Sequence, residues 1–136
     1  MGRVLQHIEG LDFIVTGSLA LCIEGKLDRE IHDLDIITPD NRVLKQLDKI
    51  GERLDETSEA HHLRYLCYNS YHVDVFLVST PIKHTTKNIG KFKLKVAYPE
   101  TVYLSKIASL CRHTNTPFLV KALKDLEQYF HITYPQ

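Results

Sequence analysis

No apolar run in this 136-residue sequence approaches the roughly 18 residues that would cross a bilayer, so no membrane-spanning helix is expected. The first residues, Met1-Gly2-Arg3-Val4-Leu5-Gln6-His7, lack the long apolar core and small residues of a secretory leader. Met1-Gly2 begins like a myristoylation site, but Gln6 stands where Ser or Thr would be needed. Cysteine is scarce: Cys22, Cys67 and Cys111 are odd in number, far apart and set among apolar neighbours, which reads as reduced core thiols in a cytoplasmic protein. Repeats, low-complexity tracts and linkers are missing, and the composition sets aside the disordered and fibrous classes. There is also no net charge, although its distribution is uneven. Residues 1–80 carry 14 acids and 8 bases, whereas 81–136 carry 3 acids and 9 bases. Such a contrast suits either a metal-plus-phosphate ligand or two halves that attract each other.

What remains is a composition with 43% hydrophobic and 25% charged residues, ordinary for a soluble domain of this size. Alternation and turn signals predict a single α/β (α+β) domain over 1–136, with a small sheet packed by helices and two helices at the C-terminal end. A first helix is expected over Val4–Ile8, a strand over Asp12–Thr16 and a short helix over Leu19–Ile23. A strand follows over Ile31–Thr38, and then a helix capped by Asp40 with the stripe Val43, Leu44, Leu47, Ile50 and Leu54. Leu63–Tyr68 and His72–Val78 read as a hairpin turning at Asn69-Ser70, and the stretch from Pro81 to Gly90 as a loop. Lys91 to Val96 alternates strictly and is expected to be a strand. Pro99 opens a helix with Val102, Leu104, Ile107, Ala108 and Cys111 inward. Thr116-Pro117 opens the last, with Phe118, Leu119, Ala122, Leu123, Leu126 and Phe130 inward.

Two acids stand out in His32-Asp33-Leu34-Asp35-Ile36. The two-residue period of a strand puts Asp33 and Asp35 on one face, with Cα atoms about 6.6 Å apart. Carboxylates at that spacing can converge on one divalent ion, or bracket two ions about 3.5–4 Å apart. Acids placed together in an apolar strand repel each other and lose hydration, a cost that solvent or a cation must offset. Asp74, between Val73 and Val75, is a third acid of this kind. It would complete the hard-oxygen set that Mg²⁺ or Mn²⁺ prefers, phosphates and waters taking the other positions. Upstream, Gly17-Ser18 ends a strand and opens a helix, where glycine lets backbone approach a phosphate and Ser18 offers a hydroxyl. No Gly-Lys-Ser/Thr follows, so this is not a Walker loop.

Phe13-Ile14-Val15-Thr16-Gly17-Ser18, then Asp33-Leu34-Asp35, then Val73-Asp74-Val75 resemble, in order and context, the DNA polymerase β-like nucleotidyltransferase superfamily, in particular its small bacterial and phage members. Ala97-Tyr98-Pro99-Glu100 leading into a helix with Lys106, and Lys124-Asp125-Leu126 further on, are similar in arrangement. One departure is the longer stretch between Ser18 and Asp33, which holds Lys26-Leu27-Asp28-Arg29-Glu30. The resemblance implies transfer of a nucleoside monophosphate from an NTP to a hydroxyl on a small molecule, a tRNA end or a protein. Asp33 and Asp35 would hold metal at the triphosphate, Asp74 would hold metal beside the attacking hydroxyl, and Gly17 and Ser18, with Lys106 as a further candidate, would bind phosphates. The alternatives are a catalytically silent nucleotide- or partner-binding module of the same fold, and a metal-dependent phosphohydrolase. An open single-domain cleft also raises the expectation of a homodimer.

Other features weigh less. Lys91, Lys93 and Lys95 share a strand face, read as an edge strand guarded by lysines in preference to a phosphate-binding ladder. The eight histidines fit no usual zinc spacing and read as surface residues. His32 and His72 lie near the site acids, with His32 expected on the opposite strand face.

Overall fold

The computed structural model describes residues 2–54, 62–79, 82–112, 120, 121, 123–126 and 128, with the backbone alone for 106 and 108–112. Its elements run α1 (Gly2–Ile8), β1 (Ile14–Thr16), α2 (Gly17–Ile23), β2 (Asp33–Thr38), α3 (Arg42–Asp48), β3 (Gly51–Leu54), β4 (His62–Cys67), β5 (Tyr71–Leu77), β6 (His84–Ile89), β7 (Phe92–Ala97) and α4 (Pro99–Arg112). The described positions from 120 to 128 are helical and form a second C-terminal helix. This is the expected mixed α/β architecture.

All seven strands join one mixed sheet in the order β3-β4-β5-β2-β1-β7-β6. The centre is set by apolar alternation: Leu34 and Ile36 on β2, Val73 and Val75 on β5, Val15 on β1 and Val96 on β7 are all buried. They share a cluster with Val4, Leu5 and Ile8 of α1 and Val43 and Leu47 of α3. α1 packs on α3, while α2 packs on β1, β2, β7 and α4. Thr38, wholly buried at the end of β2, donates to the Asp12 carbonyl and accepts from the Asp40 N–H at 3.0 Å. One hydroxyl thereby ties the entry of β1 to the entry of α3.

The structure departs from the sequence expectations where local pattern and pairing compete. α3 stops at Asp48, so Ile50 and Leu54 leave its stripe and Gly51 opens β3. A Cβ at Gly51 would come within 2.6 Å of the Leu66 carbonyl oxygen and 2.9 Å of Cys67 Sγ, so glycine is what lets β3 close onto β4. The N-cap of α3 is Asn41 rather than Asp40, although Asp40 Oδ1 still accepts the Arg42 N–H at 2.9 Å. The hairpin turns one residue earlier than expected: Tyr68 and Asn69 both have positive φ, and the Ser70 N–H reaches the Cys67 carbonyl at 3.1 Å. That is the geometry of a type I′ turn. The stretch read as a loop contains β6, which pairs with β7 along its whole length. β7 is accordingly not an edge strand, and β6 takes that position. Lys93 and Lys95 do face outward, opposite buried Phe92, Leu94 and Val96.

On the C-terminal helices, Val102 and Leu126 are buried as expected, but Leu104, Ile107 and Leu123 are exposed. The side chains of Ala108 and Cys111, and residues Thr116 to Leu119, Ala122 and Phe130, lie outside the described residues. Cys22 and Cys67 are free thiols. Among the described residues no helix is long and apolar enough to cross a membrane.

Candidate active site

β2 and β5 run parallel and adjacent, with Asp35 opposite Asp74 and Asp33 opposite His72. Paired positions share a sheet face, so the three acids lie together on the face opposite Leu34, Ile36, Val73 and Val75. Thr16, the last residue of β1, is the antiparallel partner of Asp35. The chain therefore delivers Gly17 and Ser18 beside Asp35 without any long-range device beyond the sheet.

Gly17 has a left-handed φ of +67°, and a Cβ there would overlap the Asp35 carboxylate, its Cγ standing 2.8 Å away. Both conditions demand glycine. The strand-to-helix turn therefore lies directly against the Asp35 carboxylate.

Each of the other acids has basic neighbours. Asp74, only 14% exposed, meets His62 Nε2 at 2.8 Å through Oδ1, with Arg64 Nε 3.7 Å from the same oxygen. The His62 ring stacks on Phe76 at 4.4 Å between centroids. Arg64 Nε is buried and makes no hydrogen bond among the described residues, so this nitrogen faces Asp74 as part of a charge rather than as a donor. Asp33 lies 3.8 Å from His72 Nδ1 and 3.9 Å from Lys121 Nζ on the second C-terminal helix. His32 is turned away and exposed, 3.8 Å from Glu30.

Ser18 belongs to a separate cluster. Arg29 Nη2 donates to Ser18 Oγ at 2.8 Å, and Ser18 Oγ donates to Asp125 Oδ2 at 3.3 Å. Arg29 grips Asp125 with both prongs, Nε to Oδ1 at 2.8 Å and Nη2 to Oδ2 at 2.9 Å. The Asp125 side chain is 3% exposed. Its hydrogen bonds, against the cost of burial, raise the Arg29 pKa above the ordinary guanidinium value. A hollow of about 260 Å³ adjoins this cluster, lined by Arg29, Val120, Lys121, Lys124 and Asp125.

The sequence matches, over residues 1–112, the family described as "Nucleotidyltransferase of unknown function (DUF6036)". The chain belongs to this nucleotidyltransferase family. No curated protein matches it. Among solved structures it is similar to an antigenic nucleotidyltransferase-like protein from Paracoccidioides brasiliensis (18% identity, TM-score 0.58, covering 96% of this chain and 72% of that one). It is similar also to ANT(2")-Ia in complex with adenylyl-2"-tobramycin (11% identity, TM-score 0.71, 97% and 86%). A third is the lincosamide antibiotic adenylyltransferase LnuA, lincomycin-bound (16% identity, TM-score 0.54, 93% and 92%). The chain spans between 64% and 92% of the lengths of the solved structures it matches. At these identities the likeness establishes the fold.

Within that family frame, the three acids are aligned but not closed into one ligand set: among the described residues no three His, Cys, Asp or Glu side chains converge closely enough to hold a metal ion. Their donor chemistry fits a hard divalent cation, since all three are carboxylates on one face of neighbouring strands, with Asp35 and Asp74 in register. The Lys106 side chain lies outside the described residues, and Lys124 is exposed. His62, Arg64 and Arg29 are the neighbours that sequence reading missed. A hairpin register counted from residues 68–70 would have set Arg64 opposite Asp74, as it stands in the structure. For Arg29 the only sequence signal was its place in the lengthened stretch before Asp33.

Proposed function

We propose that this protein is a magnesium- or manganese-dependent nucleotidyltransferase that moves an NMP group from an NTP to a hydroxyl acceptor, using Asp33, Asp35 and Asp74. We propose also that residues 1–136 act as a single domain, in which 1–80 carry the catalytic core and 81–136 a basic strand and helices. The observation that carries the reading is the Asp35–Asp74 register beside Gly17, whose missing Cβ leaves backbone and carboxylate in contact.

Asp33, Asp35 and Asp74 would hold the divalent cation, which when bound would supply positive charge to the triphosphate. The remaining work falls to the protein. Gly17 and Ser18 bind the terminal phosphates, with Lys106 as a further candidate contact. Asp74 accepts the proton of the acceptor hydroxyl as its oxygen bonds to the α-phosphorus, the α–β bridging bond breaks and pyrophosphate leaves. His62 and Arg64 hold Asp74 in place for that role. Such positioning accounts for much of the catalysis in this class of reaction.

Two of the structural neighbours hold an antibiotic or its adenylylated form, so aminoglycoside and lincosamide hydroxyls are the first acceptors to try, ahead of tRNA ends and protein hydroxyls. Incubation with labelled ATP, CTP, GTP or UTP, Mg²⁺ and these acceptors or cell extract should transfer label with wild-type protein and not with Asp74→Asn. Absence of label across all four nucleotides, with nucleotide still bound, would instead support the silent binding module. Release of free nucleotide without a labelled acceptor would favour a phosphohydrolase.

A further inference from the structure

Ser18 is a candidate phosphate ligand, and its hydroxyl is not simply facing solvent. It has one proton to donate and two lone pairs to accept with. Arg29 Nη2 occupies one lone pair at 2.8 Å, while the proton points to Asp125 Oδ2 at 3.3 Å. The first contact is short and comes from a charged donor; the second is long for an O–H···O bond. A phosphate oxygen arriving at Ser18 would therefore draw the proton away from Asp125 and leave the oxygen where Arg29 holds it.

Arg29 in turn is held by Asp125. The guanidinium meets the carboxylate with two parallel bonds of 2.8 and 2.9 Å, a geometry that fixes its plane as well as its position. The same helix makes two further contacts across the site: Lys121 Nζ lies 3.9 Å from Asp33 Oδ2, and Gln128 Oε1 accepts the Asp28 N–H at 3.1 Å. Thus one helix reaches the phosphate loop, the loop that carries Arg29 and the first acid of β2.

We propose that Asp125 is a positioning residue: through Arg29 it fixes the Ser18 oxygen for the terminal phosphates of a nucleoside triphosphate, so that docking of the second C-terminal helix makes the phosphate loop competent. This rests on the nucleotidyltransferase reading. Asp125 itself would contact no phosphate; its two bonds to the guanidinium keep Arg29 Nη2 on Ser18 Oγ.

The test is a double-mutant cycle on the full chain, with Mg²⁺ and each of ATP, CTP, GTP and UTP titrated calorimetrically into wild type, Ser18→Ala, Asp125→Asn and the double variant. Each single substitution is expected to weaken binding roughly ten- to hundredfold, the scale of one hydrogen bond to a charged group. The double variant is expected to bind no more weakly than Ser18→Ala alone. Asp125→Asn binding as wild type, or more tightly because Arg29 is released onto the phosphate, would overturn the inference, as would fully multiplicative losses. Arg29→Gln breaks the same link from the loop side and should reproduce the Asp125→Asn result, which guards against a variant that fails to fold. A wild-type protein that binds none of the four nucleotides overturns the nucleotide reading and this inference with it. Binding by the wild type with independent losses overturns this inference alone.

Discussion

At the scale of single residues, Gly17 and Asp35 are the pair on which the site turns. A side chain at Gly17 must displace the Asp35 carboxylate, and the left-handed backbone adds roughly 1–2 kcal/mol of its own. Gly17→Ala is therefore expected to lower the melting temperature and to abolish nucleotide transfer, measured by thermal denaturation and label incorporation. Wild-type transfer by this variant would show that the close approach is incidental. Cys67 gives a residue-scale pH prediction. Burial pushes its thiol up to about 11. The folded chain then keeps a proton that the unfolded chain releases above roughly pH 8.5, so stability is untouched below that value and falls as pH rises toward 11. Burial raises the Tyr65 phenol as well, against the opposing influence of Arg53, so Cys67→Ala should make the alkaline loss shallower without removing it. Melting curves between pH 7 and 10.5 will read this. Sequence alone singled out the three acids, because a polar residue in an apolar strand is conspicuous, and Gly17 at a strand-to-helix turn; the structure brings these four positions together. It did not identify His62, Arg64 or Arg29, whose roles depend on hairpin register and loop path rather than on any local pattern.

The elements show a similar division. Thr38 joins β2 to the entries of β1 and α3, and Thr38→Val keeps the shape while leaving the Asp12 carbonyl and the Asp40 N–H without that partner. The expected cost is roughly 1–3 kcal/mol, the desolvation penalty of an orphaned buried group, read as a lower urea midpoint with an unchanged m-value. A midpoint equal to wild type would mean that water replaces the hydroxyl. β2 and β5 were legible in advance because their inward residues are β-branched or leucine and alternate with the acids. β6 was not, since His84–Ile89 is polar and mostly exposed and owes its existence to pairing with β7. β3 was hidden because Ile50 and Leu54 continue the α3 spacing, and only the close approach to Cys67 shows why Gly51 ends that run. The early turn at Tyr68 has a comparable origin: positive φ is rare for a bulky residue, so composition points to Asn69-Ser70 instead.

Across the whole molecule, the opposed charges of the two halves meet in direct ion pairs. Lys95 reaches Asp12 at 3.1 Å and Lys87 reaches Glu24 at 3.7 Å, so bases of the second half pair directly with acids of the first. Lys121 and Lys124 meanwhile line the hollow beside Arg29 and Asp125, where on the proposed reading a phosphate chain would meet positive charge. Sheet order and helix docking together bring Lys121 of the second C-terminal helix to 3.9 Å from Asp33. The most direct measurement is equilibrium binding of the four NTPs by wild type and Asp33→Ala, each with Mg²⁺ and with EDTA. The account predicts binding by the wild type that requires the metal and is lost in Asp33→Ala. Binding that persists in EDTA, or that Asp33→Ala leaves intact, would contradict it.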